Sequence, residues 1–360
     1  CKTIQGAMAN HPFESFEYMV RPGTYDLPDP LDFVAEFMKI YSINNNDVNV
    51  TKLKCSTRCL DLNIETGKHA PELIKGLHFI STAAVSPNTA PVNKGGAIRL
   101  ANFPSSGEIF DFDMTIESCI FEGFAALSEG GAISVINVRA RLNMNHLIFQ
   151  NNTALGTYGG TGGAMSIDTA TDVTLNDIKC IENHAKEFGG CLSVTSNDDD
   201  GAPSKVVVSQ LHSMKDVSER RGGSVYIGRS SLLTMTNSTT KDATGAGAIY
   251  VSSAKVVLSQ VLVLDSTCPI DSAAIMCVSS NLKVNENSVV SGTTGRGLKG
   301  IGCALQVENV RFFNNTVVAS EPKDTDINGG GISLVSESEA TVIFSTFESN
   351  TADGDGGGIM

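Results

Sequence analysis

The chain has 360 residues and a formal net charge of -13, from 26 Lys and Arg against 39 Asp and Glu. Hydrophobic residues make up 41% of it, which is enough for a sizeable core and excludes disorder throughout. The acidic balance argues against nucleic acid as a partner, because phosphate binding requires clustered Lys and Arg. No run of 18 apolar residues occurs, so the sequence predicts no membrane-spanning helix.

The first 90 residues show no clear repeat. We interpret residues 1–90 as an N-terminal cap followed by the first irregular coils of a repeating structure. The apolar spacing between Leu31 and Ile40 predicts a short helix in this segment. No later linker is long enough to mark a domain boundary. Residues 91–360 are therefore expected to form one continuous solenoid.

A short motif recurs from residue 95 to the end of the chain, about every 30 residues. Each copy has three small residues followed by an apolar, a polar and an apolar residue. The alternating half predicts a short strand with one buried face, and the glycines predict a corner with positive φ or close backbone approach. The clear copies begin with Gly95-Gly96, Gly130-Gly131, Gly162-Gly163, Gly189-Gly190, Gly222-Gly223, Gly329-Gly330 and Gly356-Gly357, and degenerate copies begin at Ala246, Ser272 and Gly302.

A second motif precedes several of these corners, in which a large apolar residue is followed three positions later by Asn. Inward-facing Asn at a turn can hydrogen-bond the backbone and the Asn of the next copy. We therefore assign these Asn residues a structural role and not a catalytic one. The full copies are Phe149 to Asn152, Phe312 to Asn315 and Phe347 to Asn350, and the variant is Cys180 to Asn183.

A unit of this size cannot bury its own apolar residues, whereas copies stacked on one another can. Parallel stacking at the β-sheet spacing of about 4.8 Å aligns equivalent residues in columns. The sequence therefore predicts an all-β parallel β-helix, right-handed because parallel crossovers almost always are. The predicted interior column contains Ile98, Ile133, Met165, Leu192, Val225, Ile249, Ile275, Leu305 and Ile332.

The paired Gly-Gly-Ala-Ile and Phe-x-x-Asn motifs resemble the repeats of chlamydial-type polymorphic outer membrane proteins over residues 95–360. The resemblance implies a pectin-lyase-like right-handed β-helix that is secreted or displayed at the cell surface, outer membrane-associated in a bacterium, often as an adhesin. The opening, Cys1–Ala7 and then Val20–Tyr25, looks like the capping helix, first strand and Pro-Gly turn of many β-helix proteins. Because the chain stops at Met360, one residue after a motif Ile, we expect the solenoid to be truncated at its C-terminus.

The nine cysteines are an odd number and include no Cys-x-x-Cys pair, so neither a zinc ribbon nor a thioredoxin-like site is indicated. The spacing of Cys55 and Cys59 does not by itself establish a disulfide. Several other cysteines fall at apolar positions of the repeat, and we interpret these as small core residues.

Two classes of function remain open. Polygalacturonase-like enzymes carry Gly-His-Gly and Arg-Ile-Lys segments beside their carboxylates, and this sequence has neither. Its Asp-Asp run, Asp198–Asp200, reads as a solvated loop, with a metal site as the alternative. We predict no catalytic residue, cofactor or metal, and recognition of a surface protein or glycan through outward residues such as Arg99, Ser134 and Tyr226. The alternative is a carbohydrate-active enzyme, either a polysaccharide lyase or a glycoside hydrolase.

Overall fold

The computed structural model describes residues 17–31, 39–43, 51–63, 72–83, 94–101, 112–156, 159–196, 203–269, 271–318 and 328–360. The expected capping helix at Cys1–Ala7 and the loop Asp198–Asp200 lie outside these residues. Regular structure within the described ranges is β-strand. A search of the same ranges finds no helix with the length and apolar character needed to cross a membrane.

The strands follow one another in short segments with tight turns between them. In chain order they are β1 (Glu17–Val20), β2 (Gly23–Leu27), β3 (Lys39–Ser42), β4 (Thr51–Cys55), β5 (Leu60–Asn63), β6 (Leu73–Lys75), β7 (His78–Ser81), β8 (Ile98–Ala101), β9 (Phe112–Glu117), β10 (Ile120–Glu122), β11 (Ala125–Ala126), β12 (Ile133–Gln150), β13 (Thr153–Ala154), β14 (Met165–Ile181), β15 (His184–Ala185), β16 (Leu192–Thr195) and β17 (Lys205–Met214). They continue as β18 (Val217–Arg221), β19 (Val225–Gly228), β20 (Leu232–Lys241), β21 (Thr244–Ala246), β22 (Ile249–Ser252), β23 (Lys255–Leu264), β24 (Ala273–Val278), β25 (Asn281–Asn285), β26 (Ser288–Ser291), β27 (Arg296–Ile301), β28 (Ala304–Glu308), β29 (Val310–Phe313), β30 (Thr316–Val317), β31 (Ile332–Val335), β32 (Glu339–Ile343), β33 (Thr346–Glu348) and β34 (Thr351–Ala352).

Each coil contributes to three parallel faces, which we name sheets A, B and C in the order that the chain visits them after the glycine corner. Sheet A contains β5, β8, β16, β19, β22, β24, β27, β31 and the first parts of β12 and β14. Sheet B contains β1, β3, β6, β9, β25, β28, β32, the middle parts of β12 and β14 and the first parts of β17, β20 and β23. Sheet C contains β2, β4, β7, β10, β26, β29, β33 and the last parts of the long strands. The parallel β-helix predicted from the repeats is confirmed.

The interior column of sheet A follows the prediction with one exception. In register the column is Leu31, Leu60, Ile98, Ile133, Met165, Leu192, Val225, Ile249, Ile275, Leu298, Ile332 and Ile359. Leu305 was wrongly placed there, because it pairs with Leu282 and Ala340 in sheet B. The corner of this coil lies at Gly297, whose Cβ position would be 2.6 Å from the carbonyl oxygen of Gly331. The resembling segment at Gly302 instead forms the turn into sheet B.

The short helix expected between Leu31 and Ile40 does not include either of these two residues. Leu31 pairs in parallel with Leu60, and Ile40 lies inside β3, where it is paired with Tyr18 and Ile74. Both ends of the segment therefore give their backbone groups to neighbouring coils. Residues 32–38 between them lie outside the described residues.

Candidate functional site

The glycine motif forms the corner through which the chain enters sheet A. Gly130 has a φ of 62°, and a Cβ there would lie 1.9 Å from the carbonyl oxygen of Ile133. A Cβ on Gly131 would lie 2.0 Å from the carbonyl oxygen of Gly163 in the next coil. The first glycine thus serves the turn, and the second admits the neighbouring backbone. Equivalent contacts occur at Gly95 and Gly96, Gly162 and Gly163, Gly189 and Gly190, and Gly329 and Gly330, while Gly356 has a φ of 70° and Gly357 lies against Asn350.

The Asn residues of the second motif form buried ladders at the turn after sheet C. The backbone N–H and side-chain amide of Asn152 both donate to Oδ1 of Asn183 at 3.0 Å. The same two groups of Asn183 donate to Oδ1 of Asp216 at 2.8 and 2.9 Å. Later in the chain, Asn315 donates twice to Oδ1 of Asn350, at 3.1 and 2.8 Å. The side chains of the ladder therefore form hydrogen bonds with polar groups of the turns that have no partner within the three sheets.

Phenylalanines stack in the column beside the ladder. The rings of Phe121 and Phe149 are 5.0 Å apart, and those of Phe312 and Phe347 are 5.2 Å apart. Offset stacks of this kind stabilise beyond the area they bury. The two stacks are separate, because Cys180 takes the position of Phe149 in the following coil.

Asp216 ends the first ladder in a small polar cluster that sequence analysis missed. Burial raises the pKa of Asp216 to about 7, although hydrogen bonds from Ser213 and Asn183 act in the opposite direction. Its carboxylate and the sulfurs of Cys180 and Cys191 lie within 4.8 Å of one another, a grouping that could hold a metal ion. Those sulfurs are joined in a disulfide, which leaves no thiolate to bind an ion. The Ser213-x-x-Asp216 spacing, a variant of the second motif, was the available signal.

Three disulfides correct the interpretation of the cysteines as small core residues. Cys55 pairs with Cys59, Cys180 with Cys191, and Cys277 with Cys303. The first two lie within one turn or coil, whereas Cys277–Cys303 connects neighbouring coils. In contrast, Cys119 and Cys268 are free and buried, and burial raises the pKa of both thiols to about 12. All eight are buried, so the repeat positions alone did not separate paired from unpaired cysteines.

The outward positions of sheet A are not the open surface expected for specificity. Ser134 is 0% exposed and Tyr226 is 7% exposed. Phe188 stacks on Tyr226 with ring centroids 4.5 Å apart, and the guanidinium of Arg221 lies 5.2 Å from the ring centroid of Tyr250. Side chains of residues that directly precede the glycine corner, such as Phe188 and Arg221, therefore cover this part of sheet A. Arg99 is partly buried beside Asp61, with an N–O distance of 3.3 Å.

A groove lies instead at the turn from sheet A to sheet B and along the first outward positions of sheet B. It comprises two adjoining cavities of about 550 and 520 Å³ that share Lys255, Asn281, Ala304 and Glu339. We name this feature the turn groove. Its remaining lining is Ser230, Ser231, Leu232, Ser253, Ala254, Val256, Val257, Ser279, Ser280, Leu282, Lys283, Gly302, Cys303, Leu305, Gln306, Glu337, Ala340 and Thr341.

Local backbone geometry aligns the polar groups of the turn groove. Ser253 and Ser279 have φ values of 53° and 47°, and the N–H of Ser253 donates to the carbonyl oxygen of Val278 in the next coil. Beneath them, the Ser280 hydroxyl accepts from the N–H of Ala254 at 3.1 Å and donates to Val278. The inner serine thus fixes the turn, and the outer serines are left exposed at successive coils.

The charged side chains of the turn groove have no ion-pair partner within the part of the chain that the structure describes. Lys255, Lys283, Glu337 and Glu339 share the groove without an N–O contact of 4.0 Å or less. In the same sheet, by contrast, Lys205 pairs with Asp172 at 3.2 Å. The four charged groups of the groove are therefore available to a ligand.

Family models match the later coils of the chain. A model described as a right-handed β-helix region matches residues 209–347, and one described as a Chlamydia polymorphic membrane protein repeat matches residues 344–360. Among curated proteins, none matches the sequence.

Solved structures with similarity include enzymes and an adhesin. The Azotobacter vinelandii mannuronan C-5 epimerase AlgE4 A-module is 9% identical, with 98% of this chain and 93% of that chain covered and a TM-score of 0.47. The catalytic unit of the GH87 α-1,3-glucanase from Streptomyces thermodiastaticus is 12% identical, with coverage of 95% and 66% and a TM-score of 0.29. PfbA, a surface adhesin of Streptococcus pneumoniae, is 10% identical, with coverage of 82% and 83% and a TM-score of 0.22. The strand pairing and the family model over residues 209–347 show that the chain has the fold of a right-handed parallel β-helix, and its last 17 residues are similar to the polymorphic membrane protein repeat.

Proposed function

We propose that the chain is a non-catalytic recognition module that acts at a cell surface or outside the cell, and that the turn groove is its binding surface. The observation that carries this proposal is the set of exposed polar side chains on four successive coils that have no side-chain partner among the described residues, namely Ser253, Lys255, Ser279, Asn281, Gln306, Glu337 and Glu339. Coil spacing of about 4.8 Å gives the groove from Leu232 to Glu339 a length of about 19 Å. Such a set suits an extended partner held by many weak contacts.

The arrangement of charges in the turn groove favours binding over catalysis. Glycosidases use two carboxyl groups about 5 to 9.5 Å apart that flank one bond. The two carboxylates of the groove, Glu337 and Glu339, come from the same coil, at one end of the groove, and Lys255 lies three coil spacings, about 14 Å, from Glu339. Among the residues that the structure describes, no histidine lines the groove.

Two features support a location outside the cytoplasm. The three disulfides are typical of proteins that fold in oxidising compartments. The repeat matched at residues 344–360 is that of a membrane protein family from chlamydiae. An acidic, disulfide-bonded solenoid at a surface would present the turn groove to the exterior along its length.

The test is a combined binding and turnover assay with the purified chain. Plates coated with cell-wall polysaccharides, fibronectin or laminin measure binding. Parallel incubations with pectin, polygalacturonate and alginate, with and without calcium, measure new reducing ends and unsaturated products. We expect binding to at least one coated surface and no product. Product formation that disappears when Asp198–Asp200 are changed to Asn would establish the carbohydrate-active enzyme instead, and absence of binding to every surface would overturn the proposal.

A further inference from the structure

Three Asn-x-Thr sequences, the acceptor pattern for N-linked glycans, lie within the part of the chain that the structure describes. They begin at Asn151, Asn237 and Asn314. A fourth, which begins at Asn49, lies outside the described residues. The pattern is short and says nothing about access. Its use as an acceptor therefore depends on where the fold places the amide of the Asn and the hydroxyl of the Thr.

The fold places each acceptor Asn in an outer turn. Asn151 and Asn314 lie in the turn that follows sheet C, and Asn237 lies where β20 turns from sheet B into sheet C. All three side chains are exposed, and the φ values are 56°, 53° and 48° respectively. Their carboxamides have no hydrogen-bond partner among the described residues, whereas the adjacent ladder residues Asn152 and Asn315 are buried and bonded. The three acceptor amides are therefore open to a reagent in solution.

The threonine of each sequence also reaches the surface. Thr153 begins β13 and Thr316 begins β30, and in each strand the next residue is buried. Thr239 lies on β20 between two buried residues and points outward. All three threonines are half-buried, and their hydroxyls make no hydrogen bond within the described ranges. Each sequence thus presents its amide and its hydroxyl on the outer side of the coil.

The turn after sheet C leaves room beside its two acceptors. Gly123 is the turn residue in register with Asn151 on the preceding coil, and Gly292 is in register with Asn314. Neither glycine has a side chain to crowd the acceptor, and a Cβ on Gly123 would meet no atom within 4 Å. The turn geometry does not itself require Asn, because Glu182 has the same position and a φ of 56° in the coil after Asn151.

We infer that Asn151, Asn237 and Asn314 are acceptors for N-linked glycans when the chain is made in a secretory compartment. The amide nitrogen of the Asn forms a bond to the anomeric carbon of an oligosaccharide carried on a lipid diphosphate. The bond from that carbon to the diphosphate oxygen breaks, the electron pair leaves with the diphosphate, and the amide gives up one proton. The donor and the transferase belong to the host cell, so the chain supplies only the acceptor.

The three acceptors leave one kind of turn bare. They lie at the turn from sheet B to sheet C and at the turn after sheet C, and none of the three lies at the turn from sheet A to sheet B, where the turn groove opens. Because N-linked glycans are bulky and solubilising, they cover the turns that carry them and leave the groove accessible. The inference requires the proposed location outside the cytoplasm, and it does not require that the groove bind a ligand.

Secretion of the chain from a eukaryotic cell line, followed by digestion with peptide N-glycosidase in heavy-oxygen water, tests the assignment. The enzyme converts each glycosylated Asn into a heavy-oxygen-labelled Asp, which peptide mass spectrometry locates. We expect label at Asn151, Asn237 and Asn314. Detection of the Cys277–Cys303 disulfide in the same sample shows that the chain passed through an oxidising compartment. A chain that has this disulfide but no label at any of the three sites overturns the inference.

Variants separate the sequence pattern from exposure alone. Asn151→Asp removes the acceptor but keeps a residue type that tolerates positive φ, and Thr153→Ala removes only the hydroxyl. Each should lose the glycan at this turn, whereas Thr153→Ser should keep it. The matched control is Asn309→Asp, because Asn309 is exposed at a φ of 55° but is followed two positions later by Arg311, and all three glycans should remain. A glycan at Asn151 that survives Thr153→Ala would contradict the assignment.

Failure of glycosylation and failure of recognition give different results. The combined variant Asn151→Asp, Asn237→Asp and Asn314→Asp should keep its binding to the coated surface that the wild-type chain binds, because none of these residues lines the turn groove. A glycosylated chain that binds no surface would reject the recognition function and leave this inference intact. A secreted chain that binds a surface but has no labelled Asn would do the reverse.

Discussion

The two sides of each coil differ in what limits their side chains. On the corner side, a Cβ added to Gly130 or Gly131 would lie 1.9 or 2.0 Å from a backbone carbonyl oxygen. The backbone N–H and the side-chain amide of Asn183 are both engaged in hydrogen bonds. On the turn-groove side, Ser279 and Lys255 are exposed and make no side-chain hydrogen bond in the described residues. The motifs therefore mark the side that holds the coils together, and the side without a motif is free to bind.

This difference has a physical origin. Close backbone approach and buried amides admit very few residue types, so the same types recur at most corners. An exposed turn needs only a residue that tolerates positive φ, and Arg229, Ser253, Ser279 and Gly302 all serve. We therefore expect substitutions on the corner side to change the free energy of unfolding, and those on the groove side to change binding alone.

The largest expected effect is that of Gly130→Ala. The new Cβ would lie 1.9 Å from the carbonyl oxygen of Ile133, so the corner must shift, at a cost of about 3 kcal/mol or more in the free energy of unfolding. The matched control is Gly123→Ala, where φ is 72° but no atom lies within 4 Å, and the cost should be about 1 kcal/mol. Urea denaturation measures both, and equal costs would show that steric crowding does not define the corner.

Asn183→Ala should cost about 3 kcal/mol, because it leaves buried groups of Asn152, Phe149 and Asp216 without partners. Asn143→Ala, an exposed position on β12, should change the free energy of unfolding by less than about 0.5 kcal/mol. Thermal and chemical denaturation of both variants makes this comparison. A small effect at Asn183 would mean that the ladder does not hold the turn.

Asp216→Asn should remove a pH dependence from the core. The folded-state pKa of Asp216 is raised from its ordinary value of 3.8 to about 7, so the folded chain keeps a proton that the unfolded chain has lost between these values. Its contribution to stability is present below about pH 4 and lost as the pH rises through 7. Wild type should lose about 2 kcal/mol or more across this range relative to Asp216→Asn. Parallel slopes of unfolding free energy against pH in the two proteins would contradict the assignment.

The smallest expected effect on stability is that of Lys255→Ala combined with Asn281→Ala. Both side chains are exposed, so the free energy of unfolding should change by less than about 0.5 kcal/mol, while affinity for the coated surface that the wild-type chain binds falls at least tenfold. Denaturation and the plate-binding assay on the same preparation separate the two quantities. Loss of stability in this variant would assign the groove a structural role.

The corner side was predictable from sequence because its constraints recur as Gly-Gly and Phe-x-x-Asn. The prediction was wrong at Leu305 because Gly302-Cys303-Ala304-Leu305 imitates the corner better than Arg296-Gly297-Leu298, which occupies it. The disulfide pairing could not be predicted from the sequence, because it depends on which columns of residues are adjacent in the folded coils. The turn groove had no signal at all, since it arises from small outward residues such as Ala304 that line up only after the register is known.

Hydrogen–deuterium exchange with and without the surface ligand that the wild-type chain binds in the plate assay tests most directly whether the corner side holds the coils together and the groove side binds. We expect added protection at the turns that line the groove, around Ser253, Ser279, Ala304 and Glu339, and unchanged exchange at the corners around Gly130 and Gly163. Protection at the corners with none at these turns would contradict this expectation.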